Sequence, residues 1–266
     1  MLTLIRGAGD LASGIALRLW CAGFDVVMTE IACPTTIRRT VAFSEAVLRG
    51  ETAVEGVTAK RAENAAEARR LLDAGVLPVL VDPECACRAE LCPDALVDAI
   101  LAKRNLGTAM EDAPVVVGVG PGFTAGVDCH AVVETMRGHT LGRVIYEGAA
   151  LPNTNIPGLI GGYAGERILR APADGIFSSV RAIGDIVSEG DTVGFAGGQP
   201  MVCTIGGVLR GLIADGVPVR KGMKAGDVDP RGDASYCHTC SDKALAVGGG
   251  VLEAILCLAG GKRHGI

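Results

Sequence analysis

The apolar and polar positions along the chain change rhythm once, near residue 165. Before that point short apolar runs alternate with helix-period segments. Residues 2–6 (LTLIR) read as a buried strand and residues 11–22 as a helix, with Leu11, Ile15, Leu19 and Ala22 on one stripe and Gly23 as its C-terminal cap. Residues 25–30 (DVVMTE) read as a second strand. The stretch that follows, through Arg49, mixes loop and helix. Residues 64–74 form a helix capped by Asn64, and residues 76–81 a strand that Pro78 assigns to an edge or an irregular start. A helix is expected over 94–103, a strand over 114–119, a Gly-rich loop running into another helix, and a strand over 143–146. Alternation of this kind predicts a mostly parallel sheet with helices on both faces, a Rossmann-like α/β domain.

After Gly165 the texture is that of short strands and glycine turns. GIFSSVRAIGDIVSEGDTVG (175–194) matches GVLRGLIADGVPVRKGMKAG (207–226) without gaps, at a constant offset of 32. Gly175, Gly184, Val187, Gly190 and Gly194 fall on Gly207, Gly216, Val219, Gly222 and Gly226. The repeat predicts a small pseudo-symmetric β-sandwich, lipoyl- or biotinyl-like. Carriers of that kind bear their cofactor on a lysine between the halves, and FAGGQPMVCTIGG has none, so a carrier role is excluded. The tail reads as a closing helix weakened by Gly248–Gly250. The domains expected are 1–165 for cofactor binding, 166–232 for the repeat, and a cysteine-containing helical segment, 233–266, packed on the body.

Composition narrows the function. A net charge of −5 with scattered Lys and Arg argues against nucleic acid as a partner. There is no apolar run of about 18 residues for a membrane span and no signal-peptide pattern. The ten cysteines therefore read as reduced thiols in the cytoplasm.

Four groups of residues carry candidate chemistry. Gly7-x-Gly9-Asp10-x-Ala12 follows the first strand and opens a helix, and Glu30 ends the second strand. Such a loop seats a pyrophosphate, and such an acid bonds a ribose hydroxyl; a ligand-free βα turn is the alternative. Arg38 and Arg39 suit a phosphate or carboxylate clamp, or a solvated helix face. Gly118, Gly120, Gly122 and Gly126 form a second candidate anion loop, after which Asp128 and His130 are candidates for proton transfer, with His130 and Glu134 sharing a helix face. Cys237, beside His238 and ahead of a helix, is a candidate reactive thiol. Cys85, Cys87, Cys92, Cys237 and Cys240 are weak metal candidates whose spacing matches no common zinc knuckle, so no metal is assigned.

The runs GAGDLASG, PTTIRRTVAFSEAV, GVGPGFTAGVD and DVDPRGD…SDKALAVGGGVLEAI resemble the YqeB family, proteins associated with selenium-dependent molybdenum hydroxylases. The resemblance implies an accessory role in maturing those enzymes. It also implies a molybdenum hydroxylase apoprotein as partner, and a ligand that is a molybdenum pterin dinucleotide or labile selenium. The residues alone equally allow NAD(P), whose pyrophosphate the same loop would hold. The alternatives are an NAD(P)-dependent oxidoreductase, a sulfur or selenium transferase using Cys237, or a scaffold without ligand. A homodimer is also expected as a possibility.

Overall fold

A computed structural model describes residues 1–154 and 157–260; residues 261–266 of the expected C-terminal segment lie outside it. The chain divides into two units. One comprises Met1–Ala32, Phe43–Thr154 and Cys240–Ile266, and the other Cys33–Ala42 and Asn155–Thr239. The boundaries thus differ from those expected at 165/166 and 232/233. A ten-residue piece near the amino end joins the β unit, and the C-terminal helix belongs to the sheet unit.

In the sheet unit, β1 (Leu2–Arg6) leads through Gly7–Gly9 into α1 (Asp10–Cys21) and on to β2 (Asp25–Glu30). Gly23, at φ +84°, ends α1: its amide donates to Trp20 O and that of Phe24 to Leu19 O, closing the helix in a left-handed cap. Then come α2 (Glu45–Arg49), the hairpin β3 (Glu51–Val54) and β4 (Val57–Ala62), α3 (Ala65–Asp73) and β5 (Leu77–Val81). Asn64 caps α3 by accepting the Glu67 amide. A short α4 (Arg88–Leu91) precedes β6 (Ala95–Asp98), β7 (Val115–Val119), β8 (Thr124–Ala125), β9 (Ala131–Val133), β10 (Val144–Ile145) and β11 (Gly148–Ala149). The large sheet runs β10-β9-β7-β6-β1-β2-β5-β4-β3. It is parallel except at its two edges, β3 and β10. Strand order reverses direction at β1, where the chain has built outward through β2 and then resumes on the other side with β6.

Helices cover both faces. Ala65 and Ala68 of α3 pack with Leu4, Val27, Leu80, Leu96, Val116 and Val132. Val133, the next residue along β9, lies under Gly250 of α5 (Asp242–Ala259) on the opposite face. Helix α5 packs along α1, and its glycines are what let it do so. A Cβ on Gly248 would stand 2.8 Å from Gly14 O, and one on Gly14 2.6 Å from the Ala244 Cβ. Of the three glycines expected to weaken the helix, Gly248 and Gly250 are therefore contact surface while Gly249 faces open space, and the helix is unbroken over 18 residues from its Ser241 cap.

Three expectations fail here. Residues 94–103 are not a helix. Ala95–Asp98 pair with β1 and β7, and Leu101 and Lys103 take left-handed φ of 61° and 63° that no helix accepts. The second Gly loop also leads into no helix but into the short strands β8 and β9. Both segments are buried on two sides, where apolar strand and buried helix share one pattern. The third fails in its first alternative only: Pro78 lies on an interior strand, not an edge, but it does mark an irregular start, since it pairs with Lys60 of β4 while the ladder with β2 starts one residue later at Val79. Its missing N–H thus falls before that ladder begins.

The β unit contains β12 (Ile168–Arg170), β13 (Gly175–Ser179), β14 (Ile186–Val187), β15 (Thr192–Ala196), β16 (Gln199–Val202), β17 (Gly207–Leu212), β18 (Pro218–Val219) and β19 (Lys224–Asp229). The antiparallel sheets β12-β19-β17-β14 and β16-β15-β13-β18 close over one core containing Phe177, Val193, Met201, Leu209 and Val228. The sequence repeat reappears as reciprocal pairing. Gly175↔Val219 and Ile176↔Pro218 on one side mirror Gly207↔Val187 and Val208↔Ile186 on the other. Gly175 and Gly207 share a φ of +152°, and at each a Cβ would collide with backbone. Among the described residues no helix is long and apolar enough to cross a membrane.

Candidate functional site

The carboxyl ends of the parallel strands gather most of the candidate residues of the sheet unit. Gly7 leaves β1 at φ +102°, where a Cβ would touch Ala99 O after β6, and its amide donates to Thr29 O. Gly9 is the N-cap of α1. It is extended (φ −67°, ψ −178°) and, being glycine, contributes no side-chain cap, while the first-turn amides of any helix lack intrahelical partners. Asp10 follows, its carboxylate accepting the Leu11 amide at 3.0 Å. Glu30 stands beside the loop: one carboxylate oxygen accepts the Ala8 amide at 3.0 Å and the other the Ile31 amide at 2.8 Å. Burial raises its pKa, with the Ile31 and Ala8 amides pulling the other way. Gly7, Gly9, Asp10 and Glu30 are therefore brought together, and a ribose hydroxyl approaching Glu30 would share a carboxylate already in use. Ser13 Oγ bonds Ala8 O and accepts the Phe43 amide, tying the loop to the start of the next segment.

The second Gly loop follows β7 and is packed from within. A Cβ on Gly118 would lie 2.5 Å from the Phe123 ring, one on Gly120 2.7 Å from Thr135 Oγ1, and one on Gly122 2.5 Å from the Arg104 amide nitrogen. Gly126 faces open space at φ +83° and closes a turn through Cys129 O. Asp128 holds that turn, accepting the Thr124 amide at 2.7 Å and Asn105 Nδ2 at 3.2 Å. His130 Nδ1 accepts the Val116 amide at 3.0 Å, so a neutral ring carries its proton on Nε2. With no helix present, His130 and Glu134 share no helix face. Glu134 is buried and spends both oxygens on the amides of Met136 and Leu151.

Other candidates lie in the β unit. Arg38 Nη2 donates to Tyr236 O and Thr239 O, and Arg39 Nε to Leu212 O at 2.7 Å. Both guanidinium groups thus bond main-chain carbonyls, where the sequence suggests a clamp or a solvated face. Cys237 ends the 3-10 turn Ala234–Cys237 and does not open a helix. It is fully buried and its Sγ faces Leu209 O. Burial raises its pKa despite the charges of Arg38 and Arg210, so the expected thiolate-favouring setting is absent. Cys240 belongs to the sheet unit, where its amide meets Glu55.

Among the described residues no group of His, Cys, Asp and Glu assembles a metal site. Cys85 is buried and pushed up to about 11 chiefly by desolvation, with its Sγ 3.1 Å from Thr29 Oγ1. Cys87 is raised further, by burial and by the neighbouring Asp82. Cys92 is exposed.

The sequence reading missed a second feature of this edge. Arg6, the last residue of β1, is 5% exposed. It donates from Nε to Pro83 O and from Nη1 to Leu106 O and Thr108 Oγ1, and meets Asp98 and Glu84 at 3.4 Å each. Asp98, the last residue of β6, is buried and accepts Thr108 Oγ1 at 2.6 Å. Arg6, Thr108, Cys85, Ala86, Leu96, Gly107, Glu84, Arg88 and Asp112 line a cavity of about 210 Å³. The available signal was a charge ending a buried, mostly apolar strand.

No protein-family model matches the chain. It is 54% identical over 257 residues to the curated "Uncharacterized protein YqeB" of Escherichia coli (strain K12), across 97% of this chain and 48% of that protein. The chain spans about half the length of that relative. Among solved structures, a succinylglutamate desuccinylase/aspartoacylase from Rhodobacter sphaeroides is 18% identical over 53% of this chain and 60% of that one, with a TM-score of 0.22. The product-bound ectoine utilization protein of Ruegeria pomeroyi is 13% identical over 82% and 61%, with a TM-score of 0.24. At such scores neither carries an argument about this chain.

Proposed function

We propose that the sheet unit binds a dinucleotide-type ligand, a molybdenum pterin dinucleotide or NAD(P), on its Gly7–Gly9 turn. In this reading the protein is a cytoplasmic accessory factor in the maturation of a selenium-dependent molybdenum hydroxylase, delivering or holding the cofactor for the apoprotein. The observation that carries the ligand class is positional. The glycine turn, an α1 start whose N-cap is a glycine and the Glu30 carboxylate converge at the strand where sheet order reverses, the place where Rossmann-like sheets receive ligands. The maturation role rests on the likeness to YqeB and on what that family is associated with.

The residues would divide the work. The amides at the start of α1 would receive the pyrophosphate, aided by the helix dipole. Glu30 would accept a ribose hydroxyl, since a carboxylate retains acceptor sites beyond the two amides it holds. The transferase alternative needs a reactive thiolate at Cys237, and its burial against Leu209 O gives that reading no support.

The test is a titration of anaerobically prepared protein with NAD+, NADP+ and molybdenum pterin cytosine dinucleotide, read by calorimetry and melting temperature. A ligand at 100 times its Kd adds about 2.7 kcal/mol. Gly9→Val should abolish that gain while leaving the unliganded melting point nearly unchanged, because φ −67° suits any residue. Absence of stabilisation by all three ligands would overturn the proposal.

A further inference from the structure

Arg6 is a buried guanidinium whose ion pairs are both long. Its side chain is 6% exposed, yet Asp98 and Glu84 both stand 3.4 Å away. Nε is engaged by Pro83 O at 3.0 Å, and Nη1 by Leu106 O, Thr108 Oγ1 and, at 3.4 Å, Asp98. That leaves Nη2, which faces Glu84 alone among the contacts described. Glu84 is 81% exposed, so its hold on Arg6 is that of a surface ion pair, weak and easily exchanged. Arg6 and Glu84 both line the 210 Å³ cavity, and the remainder of its wall is partly apolar: Ala86, Leu96 and the protonated Cys85 thiol.

We infer that this cavity is a binding site for a short monocarboxylate, whose carboxylate replaces that of Glu84 on Arg6 Nη2. The charges of the cavity decide between anions. Arg88 is matched by Asp112 at 3.1 Å, and Arg6 faces Asp98 and Glu84. Once the exposed Glu84 side chain turns out to solvent, one monoanion in its place leaves the charge facing Arg6 unchanged. A dianion adds a negative charge beside Asp98 and Asp112, which a site of low dielectric resists. Size decides the tail: at about 30 Å³ per water, 210 Å³ holds roughly seven water-sized groups, which fits an acid of about four carbons lying on Ala86 and Leu96. The inference does not rest on the dinucleotide reading, since its probe contains no nucleotide.

The experiment is calorimetric titration of the full chain with sodium butyrate, and with phosphate at mildly alkaline pH, where it is mostly the dianion, as the control. Butyrate should bind in the millimolar range or tighter, and phosphate at least tenfold more weakly. Glu84→Gln removes the internal competitor from an exposed position and should tighten butyrate binding about fivefold. Arg6→Lys should weaken it at least tenfold. Should Arg6→Lys fail to fold, Glu84→Gln decides alone. No butyrate binding, no tightening in Glu84→Gln, or phosphate binding as tightly as butyrate would each overturn the inference.

Discussion

Arg6 of the sheet unit meets its two carboxylates at 3.4 Å. In the β unit, Asp227 receives Arg167 at 2.8 Å and Arg210 at 2.5 Å, while Asp229 receives Arg210 at 2.9 Å and Arg231 at 2.6 Å. Both clusters put guanidinium groups at strand ends or on strands, and both are largely buried. They differ in closure. The Asp227–Asp229 cluster holds both carboxylates between three arginines at short distance, with Tyr236 stacked 4.3 Å from the Arg231 guanidinium. It is a brace for the antiparallel sheet. Around Arg6 the contacts to charge are long and one carboxylate is exposed, so the cluster has an opening where an outside group can enter. Burial of arginine alone does not identify a site; the looseness of its partners does.

The largest effect should come from breaking the brace. Asp227→Ala removes the carboxylate that buried Arg167 meets and leaves Arg210 with that of Asp229, and should cost about 3–5 kcal/mol in urea unfolding. Arg6→Met should cost less, about 1–3 kcal/mol, since Asp98 keeps Thr108 and the Ile100 amide as donors. Equal losses would erase the distinction between the clusters.

A subtler contrast appears in pH dependence. Burial works against ionised Asp229, but the Arg231 side chain and amide, with Arg210, hold its pKa below the ordinary 3.8. Its contribution is thus present above pH 3.8 and lost as pH falls below it. Glu30 has the opposite sign. Burial raises it from 4.5, so its contribution is present at low pH and lost as pH rises from 4.5 through the native value. In urea midpoints measured across pH, Asp229→Asn should flatten the acid side and Glu30→Gln the slope just above 4.5. Unchanged slopes in both variants would refute this assignment.

The sequence was most legible where a local signal coincided with the tertiary demand. The βαβ start, the Asn64 and Ser241 caps and the 32-residue repeat all declare themselves through side chains acting on nearby backbone. Residues 95–98 and 131–133 did not, because strands buried on both faces lose the period-two pattern that marks a half-exposed strand. The hairpin over residues 51–62 turns on Glu55-Gly56, both at positive φ, an unusual relative of the Asn-Gly turn that is easily overlooked. Glycines misled in both directions. Those at 118, 120 and 122 suggested an anion loop and prove closely packed against Phe123, Thr135 and Arg104, and those at 248 and 250 suggested a weak helix and prove to be its seat. Arg6 and Asp98 lie 92 residues apart, so no spacing in the sequence could pair them.

The division of the chain also bears on its birth. A polypeptide growing from its amino end has made residues 33–42 and everything through 239 before α5 exists, so the β unit has all its parts while the sheet unit still lacks a helix. Until those 18 residues leave the ribosome, the α1 surface around Gly14 and Ile15 that α5 covers faces solvent. Chains truncated after residue 239 and released from the ribosome should therefore yield a protease-resistant β unit beside a digestible sheet unit; equal resistance would contradict this order. The unit that finishes first is the one encoded in the middle, and the nascent α1 surface is where a chaperone would be expected to hold on.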